Sequence, residues 1–224
     1  MRARKVKTEI RQEQFAQAAL KLVAAQGWQR VSLAAIARQV GVVTSAVYRH
    51  YKCKDDVLNA VLDLAEQKFR RNVQIARSTA TEPVAQLHEL LRRHVNLIVS
   101  GLPIPRVILS EEVLAGSARH RERVNAIYQA YLGEIIAVIR NGQAQGSITK
   151  ETDAETLSLM WLGLVQSPAI LWVWSKGAFD LQGHCERAWH VFAKSICTER
   201  CQAANGAFSR PHPVGRRLPA MPQH

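Results

Sequence analysis

Residues 32–51 read SLAAIARQVGVVTSAVYRHY, and the fold turns on this stretch. Leu33, Ile36, Ala37 and Val40 recur at helical spacing, and Ser32 stands where an N-cap hydroxyl belongs. Gly41 ends that short helix at a point where a sharp turn favours positive φ. A third helix then spans about Thr44 to Tyr51. Two short helices about a glycine turn are what a helix-turn-helix requires, although a plain helical hairpin has the same periodicity. In the second of the pair, Val47 and Tyr51 stand four apart and point inward. Thr44, Ser45, Tyr48 and Arg49 then occupy the outer face, with Ala46 and His50 at its edges. Hydroxyls and a cation on such a face suit phosphate oxygens and base edges. Tyr51 reads as core and Tyr48 as contact, while Arg49 reads equally as a base contact or a solvated side chain.

Helices continue on both sides. Upstream, Phe15, Ala18, Ala19, Leu22 and Val23 form one apolar stripe that Gly27 stops. Downstream, Val57, Leu58, Val61, Leu62, Ala65 and Phe69 mark a longer helix whose first turn carries Asp55 and Asp56, the favourable sign at that end. Further helices follow around Leu87–Ile98, Val107–Ala115 (after a break at Pro103 and Pro105), Val124–Ile139, Ala154–Trp174 and Trp189–Cys197. The Val124–Ile139 helix is expected to close over Gly142–Gly146, and a connection flanked by Gly177 and Gly183 leads into the last one. No period-two run is bounded by turn residues, so no strand is assigned. The expectation is an all-α chain of about nine helices: a three-helix helix-turn-helix domain over residues 1–53, a helical bundle over 54–201, and a basic, disordered tail over 202–224.

Charge is confined to the front of the chain. Up to Lys54, eleven Lys and Arg face only Glu9 and Glu13, so nine of the twelve net positive charges lie there. From Asp55 to Cys201 basic and acidic residues balance at sixteen each, and Arg210, Arg216 and Arg217 supply the rest. A local excess of this size fits a polyanionic partner bound through counterion release, or else a solvated basic surface. The Arg2, Arg4 and Lys5 stretch reads either as an arm reaching DNA or as a leader. With 47% apolar residues the chain is long and apolar enough to bury a core.

Several functional classes find little support. Cys53, Cys185, Cys197 and Cys201 do not form a secreted disulfide framework, and the N-terminus has no apolar signal core, so a cytoplasmic location is expected. Cys197 and Cys201, with His184, Cys185 and His190 nearby, match no structural zinc spacing, so neither metal nor cofactor is expected. No GxSxG, P-loop or HExxH motif occurs, and enzymatic activity is not expected. Residues 157–174, LSLMWLGLVQSPAILWVW, approach the length of a membrane span. Gln166, Ser167 and Pro168 interrupt them, and a buried helix at a subunit interface suits them better.

At residues 10–65 the sequence resembles the TetR family of regulators. The likeness lies in FAQAALKLVAAQGW, in the Ser32–Leu33 and Ile36–Ala37 pairs, in GV at 41–42 and in VYRHYKCKDDVL at 47–58. Its most specific part is Tyr48-Arg49-His50-Tyr51 with Lys54 three residues later. The resemblance implies an all-helical homodimer whose first three helices and the start of the fourth bind double-stranded DNA. It implies that Ser32 caps the second helix against a phosphate, that Thr44, Ser45 and Ala46 face bases, that Tyr48 and His50 contact the backbone, and that Lys54 grips another phosphate. Val43, Ala46 and Cys53 depart from the polar residues usual there, which lowers the expected polar contacts at the groove.

The neutral second half suits a bundle enclosing a small-molecule effector. His94, Asn96, Tyr128, Tyr131 and Trp161 are candidate liners, with ordinary packing as the alternative for each. The resemblance implies a four-helix dimer contact made by two C-terminal helices from each subunit. Leu157, Trp161, Leu164, Ile170, Leu171 and Trp174, with Trp189 and Phe192 on the last helix, are more apolar surface than a small bundle needs, which also fits an interface. A two-fold dimer would address a pseudo-palindromic operator. The expectation is therefore a DNA-binding repressor released by a small molecule. The alternative is a helical interaction protein whose basic end binds anionic surfaces non-specifically.

Overall fold

The computed structural model describes residues 2–100, 107, 113 and 117–198, and the side chains of these except 2–9 and 24. Its helices are α1 (Arg2–Gln26), α2 (Leu33–Val40), α3 (Thr44–Tyr48), α4 (Lys54–Thr79), α5 (Pro83–Val99), α6 (Ala118–Gln145), α7 (Ala154–Trp174) and α8 (Leu181–Ile196), with a 3-10 turn at Trp28–Arg30. Among the described residues these are eight α-helices, and the sole extended pairing is an isolated bridge between Ile148 and Cys197. The all-α architecture stands. Cys197 caps α8 in an extended conformation instead of continuing it. The expected break at Pro103 and Pro105 and the tail from 202 lie outside the described residues. Of the helix expected at 107–115, only Val107 and Val113 are described, both helical and buried.

Contacts divide the chain into two compact units, one from residues 1–69 and 100–128, the other from 70–99 and 129 onward. In the first, α1 packs on α2 and α2 on α3 around Phe15, Ala19, Leu20, Ile36, Val47, Tyr51 and Leu58, all buried. Ser32 Oγ accepts from Ala35 N at 3.1 Å, so the expected N-cap is formed. Gly41 adopts φ 76°, and its left-handed turn returns the Val42 amide to Ala37 O, which frees the chain to reverse into α3. That third helix is shorter than its periodicity suggested. His50 N and Tyr51 N both donate to Val47 O, and Asp56 Oδ2 accepts from Lys52 N at 2.7 Å, so the chain turns directly into α4.

In the second unit α5 packs against α7 and α8, and α7 against α8. The buried side chains include Leu87, Leu90, Leu91, Ile135, Ile139, Val165 and Ala193. Asp153 Oδ1 accepts from Thr156 N at 2.7 Å and starts α7, which then runs through Pro168 to Trp174. By length and composition α7 could cross a bilayer, yet Leu157, Trp161, Leu162, Val165 and Ala169 are buried within the unit. Gly142 falls inside α6 and not after it; a Cβ there would stand 2.5 Å from Ile148 Cδ1, so the bare backbone admits the Ile148 side chain. Gly183 likewise belongs to the first turn of α8, where its amide donates to Asp180 Oδ1 at 2.9 Å.

Candidate nucleic-acid interface and bundle sites

The short α3 has a clear inside and outside. Val47 is wholly buried and Tyr51 is 4% exposed, whereas Tyr48 is 56% exposed on the opposite side. Ser45 and Arg49 are exposed with it, and Thr44, Ala46 and His50 are half-buried. Val43 is 68% exposed at the N-cap position and makes no side-chain cap bond. It was not among the expected contact residues; its place immediately before Thr44 on the outer face was the available signal.

The flanking residues are held by defined contacts. Ser32 is exposed while its oxygen caps α2, which leaves its hydroxyl proton free to donate. Lys54 Nζ donates to Gln29 O at 3.3 Å and sits 5.3 Å from the centroid of the Trp28 ring. The cation is thus anchored over an aromatic face at the start of α4, with further N–H bonds to offer. His50 meets the Phe15 ring edge-on at 5.4 Å, so one face of its imidazole serves the core. The Tyr51 hydroxyl donates to Gln12 O at 3.1 Å. Burial, followed by the nearby Asp63 and Asp56 carboxylates, pushes that phenol up to about 12, and it stays neutral at physiological pH.

In the second unit His94, Tyr131 and Trp161 come together. The Tyr131 hydroxyl and His94 Nδ1 share a hydrogen bond of 3.2 Å, and the Trp161 ring lies 6.2 Å from Tyr131 and 6.4 Å from His94. Trp161 Nε1 donates to Leu87 O at 3.2 Å. Burial lowers His94 to about 4 and raises Tyr131 well above its ordinary value, so both are uncharged. The other two expected liners are not here. Asn96 is exposed and accepts from Gln182 Nε2 at 3.0 Å, and half-buried Tyr128 belongs to the first unit.

The expected dimer residues divide in the same way. Leu157, Trp161, Trp189 and Phe192 are buried within their own subunit, because α7 and α8 turn those faces toward α5 and toward each other. Leu157, Trp161 and Trp189 are core residues, and Phe192, though also buried, forms part of the wall of an open groove. Leu164, Ile170 and Leu171 are half-buried, and Trp174 is 61% exposed. Leu159, Met160 and Val191 are the large exposed apolar residues that had not been anticipated on these two helices. Met160, Leu164, Ala188, Val191, Phe192 and Ser195 line an open groove of about 510 Å³. Among the described residues no three His, Cys, Asp or Glu side chains are grouped as a metal site would need. Cys201 lies outside those residues, and burial raises the Cys185 thiol to about 12.

Residues 16–61 match the family model for bacterial regulatory proteins of the tetR family, and residues 80–196 match that for the tetracyclin repressor-like C-terminal domain. The second match alone spans more than half of the chain. The chain belongs to the TetR family. As a TetR-family protein it is a sequence-specific DNA-binding transcriptional regulator; proteins of this family generally bind operator DNA as dimers and respond to small molecules. It is 22% identical over 171 residues to the fatty acid metabolism regulator protein of Bacillus subtilis, covering 75% of this chain and 86% of that protein. It is 20% identical over 191 residues to the nucleoid occlusion factor SlmA of Vibrio vulnificus, covering 85% and 97%. The solved structure of the transcriptional regulator FadR from Bacillus subtilis in complex with stearoyl-CoA superposes with a TM-score of 0.68 at 20% identity, over 82% of this chain and 98% of that one.

Proposed function

We propose that this TetR-family protein is a homodimeric repressor that binds a pseudo-palindromic operator and is released from it by a small, largely apolar effector. The outward projection of Thr44, Ser45, Tyr48 and Arg49 opposite buried Val47 and Tyr51 carries the reading. In this reading residues 1–53, with Lys54 at the start of α4, contact DNA, and the remainder of 54–201 binds effector and partner. Thr44 and Ser45 hydrogen-bond base edges, and Val43 and Ala46 lie against thymine methyl groups, the apolar part of the major-groove code. Tyr48, His50, Ser32 and Lys54 hold phosphates and set the register. The exposed faces of α7 and α8, with Leu159, Met160, Leu164, Trp174 and Val191, pair with those of a second subunit.

An effector that binds better to subunits whose α3 helices no longer match the half-site spacing shifts the population away from DNA. The largely apolar interior of the second unit supports an apolar effector, as does the stearoyl-CoA complex of the Bacillus subtilis relative. Selection of binding sites from random duplexes at moderate salt tests the proposal. An inverted repeat bound on the order of a thousandfold more tightly than bulk DNA is expected. Equal binding to all duplexes contradicts it.

A further inference from the structure

Asn72 is out of place by any sequence criterion. It lies on the buried stripe of α4 between Phe69, Val73 and Ala76, and is only 8% exposed. Its amide nitrogen Nδ2 is fully enclosed and has no hydrogen-bond partner. A buried donor left unmade is costly, and native proteins keep few of them. The other buried polar side chains described in the second unit are engaged: Ser158 Oγ donates to Glu155 O at 2.7 Å, and His94 bonds Tyr131. The Arg93 guanidinium faces Glu89 at 2.7 Å.

The neighbourhood of Asn72 follows from two ion pairs. Arg123 pairs with Glu66, and Arg77 Nη2 pairs with Glu134 at 2.7 Å, both at the same 57-residue offset between α4 and α6. The two helices therefore ascend together. With a rise of about 1.5 Å per residue, Asn72 is displaced from the level of Tyr131 by only about 3 Å along the axes. Tyr131 in turn holds His94 and touches the Trp161 ring. Asn72 thus lies at nearly the same height along the bundle as the buried His94–Tyr131 pair, neither member of which is ionised. Among the described residues no Lys, Arg, Asp or Glu is buried as a whole, and the enclosed Arg93 Nε already faces Glu89, so a charge on a guest would find no free counter-charge there.

We infer that Asn72, at the level of the His94–Tyr131 pair, forms a subsite for the uncharged carbonyl oxygen of an apolar effector. The oxygen accepts from Nδ2 of Asn72, the aliphatic part lies against the bundle interior, and any charged group of the effector stays outside the core. A thioester, ester or amide carbonyl meets these conditions, whereas a free carboxylate does not. The inference rests on the effector-responsive reading above and adds the chemistry that the effector must carry.

The test uses the full-length protein, with stearoyl-CoA as thioester probe and stearate as carboxylate probe. Both are titrated by calorimetry into the wild type and Asn72→Leu. The expected result is binding of stearoyl-CoA by the wild type, with stearate at least about tenfold weaker, and loss of about tenfold or more of the stearoyl-CoA affinity in the variant. Without probe the variant should melt no lower than the wild type, since it removes an unsatisfied donor. Equal stearoyl-CoA affinity in both proteins, tight stearate binding or no thioester binding by the wild type each overturns the subsite. Should Asn72→Leu melt lower, Asn72→Ala decides: it offers no donor and cannot overpack the site, so undiminished stearoyl-CoA binding overturns the subsite. Release of operator DNA by another small molecule, equally in wild type and variant, would leave the repressor reading standing while the subsite falls.

Discussion

The Tyr51 hydroxyl donates to the main-chain carbonyl of Gln12 across 3.1 Å, fastening the chain just beyond α3 to the middle of α1. With Val47 it fixes which side of α3 faces inward, and hence which side can meet DNA. Tyr51→Phe removes this partly buried hydrogen bond and keeps the ring, so it should cost about 1 kcal/mol of stability. Urea unfolding of the two proteins measures the difference, and an unchanged midpoint contradicts the role.

The same residue makes an alkaline prediction. Folding pushes the Tyr51 phenol from an ordinary value of 10.0 up to about 12, first by burial and then through Asp63 and Asp56. The folded state therefore holds this proton more tightly than the unfolded chain. Its contribution is complete below pH 10 and is lost as the pH rises from 10 toward 12. Tyr51→Phe should show a shallower loss of stability in that window, read from unfolding curves on either side of it.

His94 acts at the opposite end of the scale. Burial lowers its imidazole from 6.5 to about 4, so the unfolded chain takes up a proton first as the pH falls. The contribution of neutral His94 is fully present above pH 6.5 and disappears on acidification toward pH 4. His94→Gln should flatten the stability profile between these values. A profile as steep as that of the wild type would assign the acid lability to other groups.

Lys54 is tied to Gln29 O and to the face of Trp28, which holds its charge at the start of α4. Lys54→Met keeps an unbranched stem over the indole and removes the cation. Affinity should fall to a similar extent for all duplexes, and the slope of log K against log salt should become shallower by about one. An unaltered slope in a salt titration would remove Lys54 from the phosphate contacts.

Val191 is 72% exposed and Leu159 is 59% exposed on helices whose other faces are packed, while Trp161 is fully enclosed. A carboxylate at either exposed position should dissociate the dimer and leave each subunit folded. Val191→Glu and Leu159→Glu are therefore expected to sediment as monomers with normal helical circular dichroism. Trp161→Ala should instead destabilise the fold by about 3–5 kcal/mol. Dimeric Val191→Glu at micromolar concentration would place the interface elsewhere.

What the sequence by itself determined is local. The spacing of apolar residues, the serine before Leu33 and the glycines at 27 and 41 are enough to locate the first two helices and the turn, because caps, left-handed turns and a period of 3.6 depend on neighbours a few residues apart. The same locality separates Tyr48 from Val47 and Tyr51 on a single short helix. The tertiary structure alone decided which face of α7 is core. That helix is apolar almost all round, so its periodicity gives no direction, and only the positions of α5 and α8 turn Leu157 and Trp161 inward and leave Leu159 and Met160 outside. Asn72 belongs to the same class. A single amide within an apolar stripe becomes significant only when the helices around it close off every acceptor.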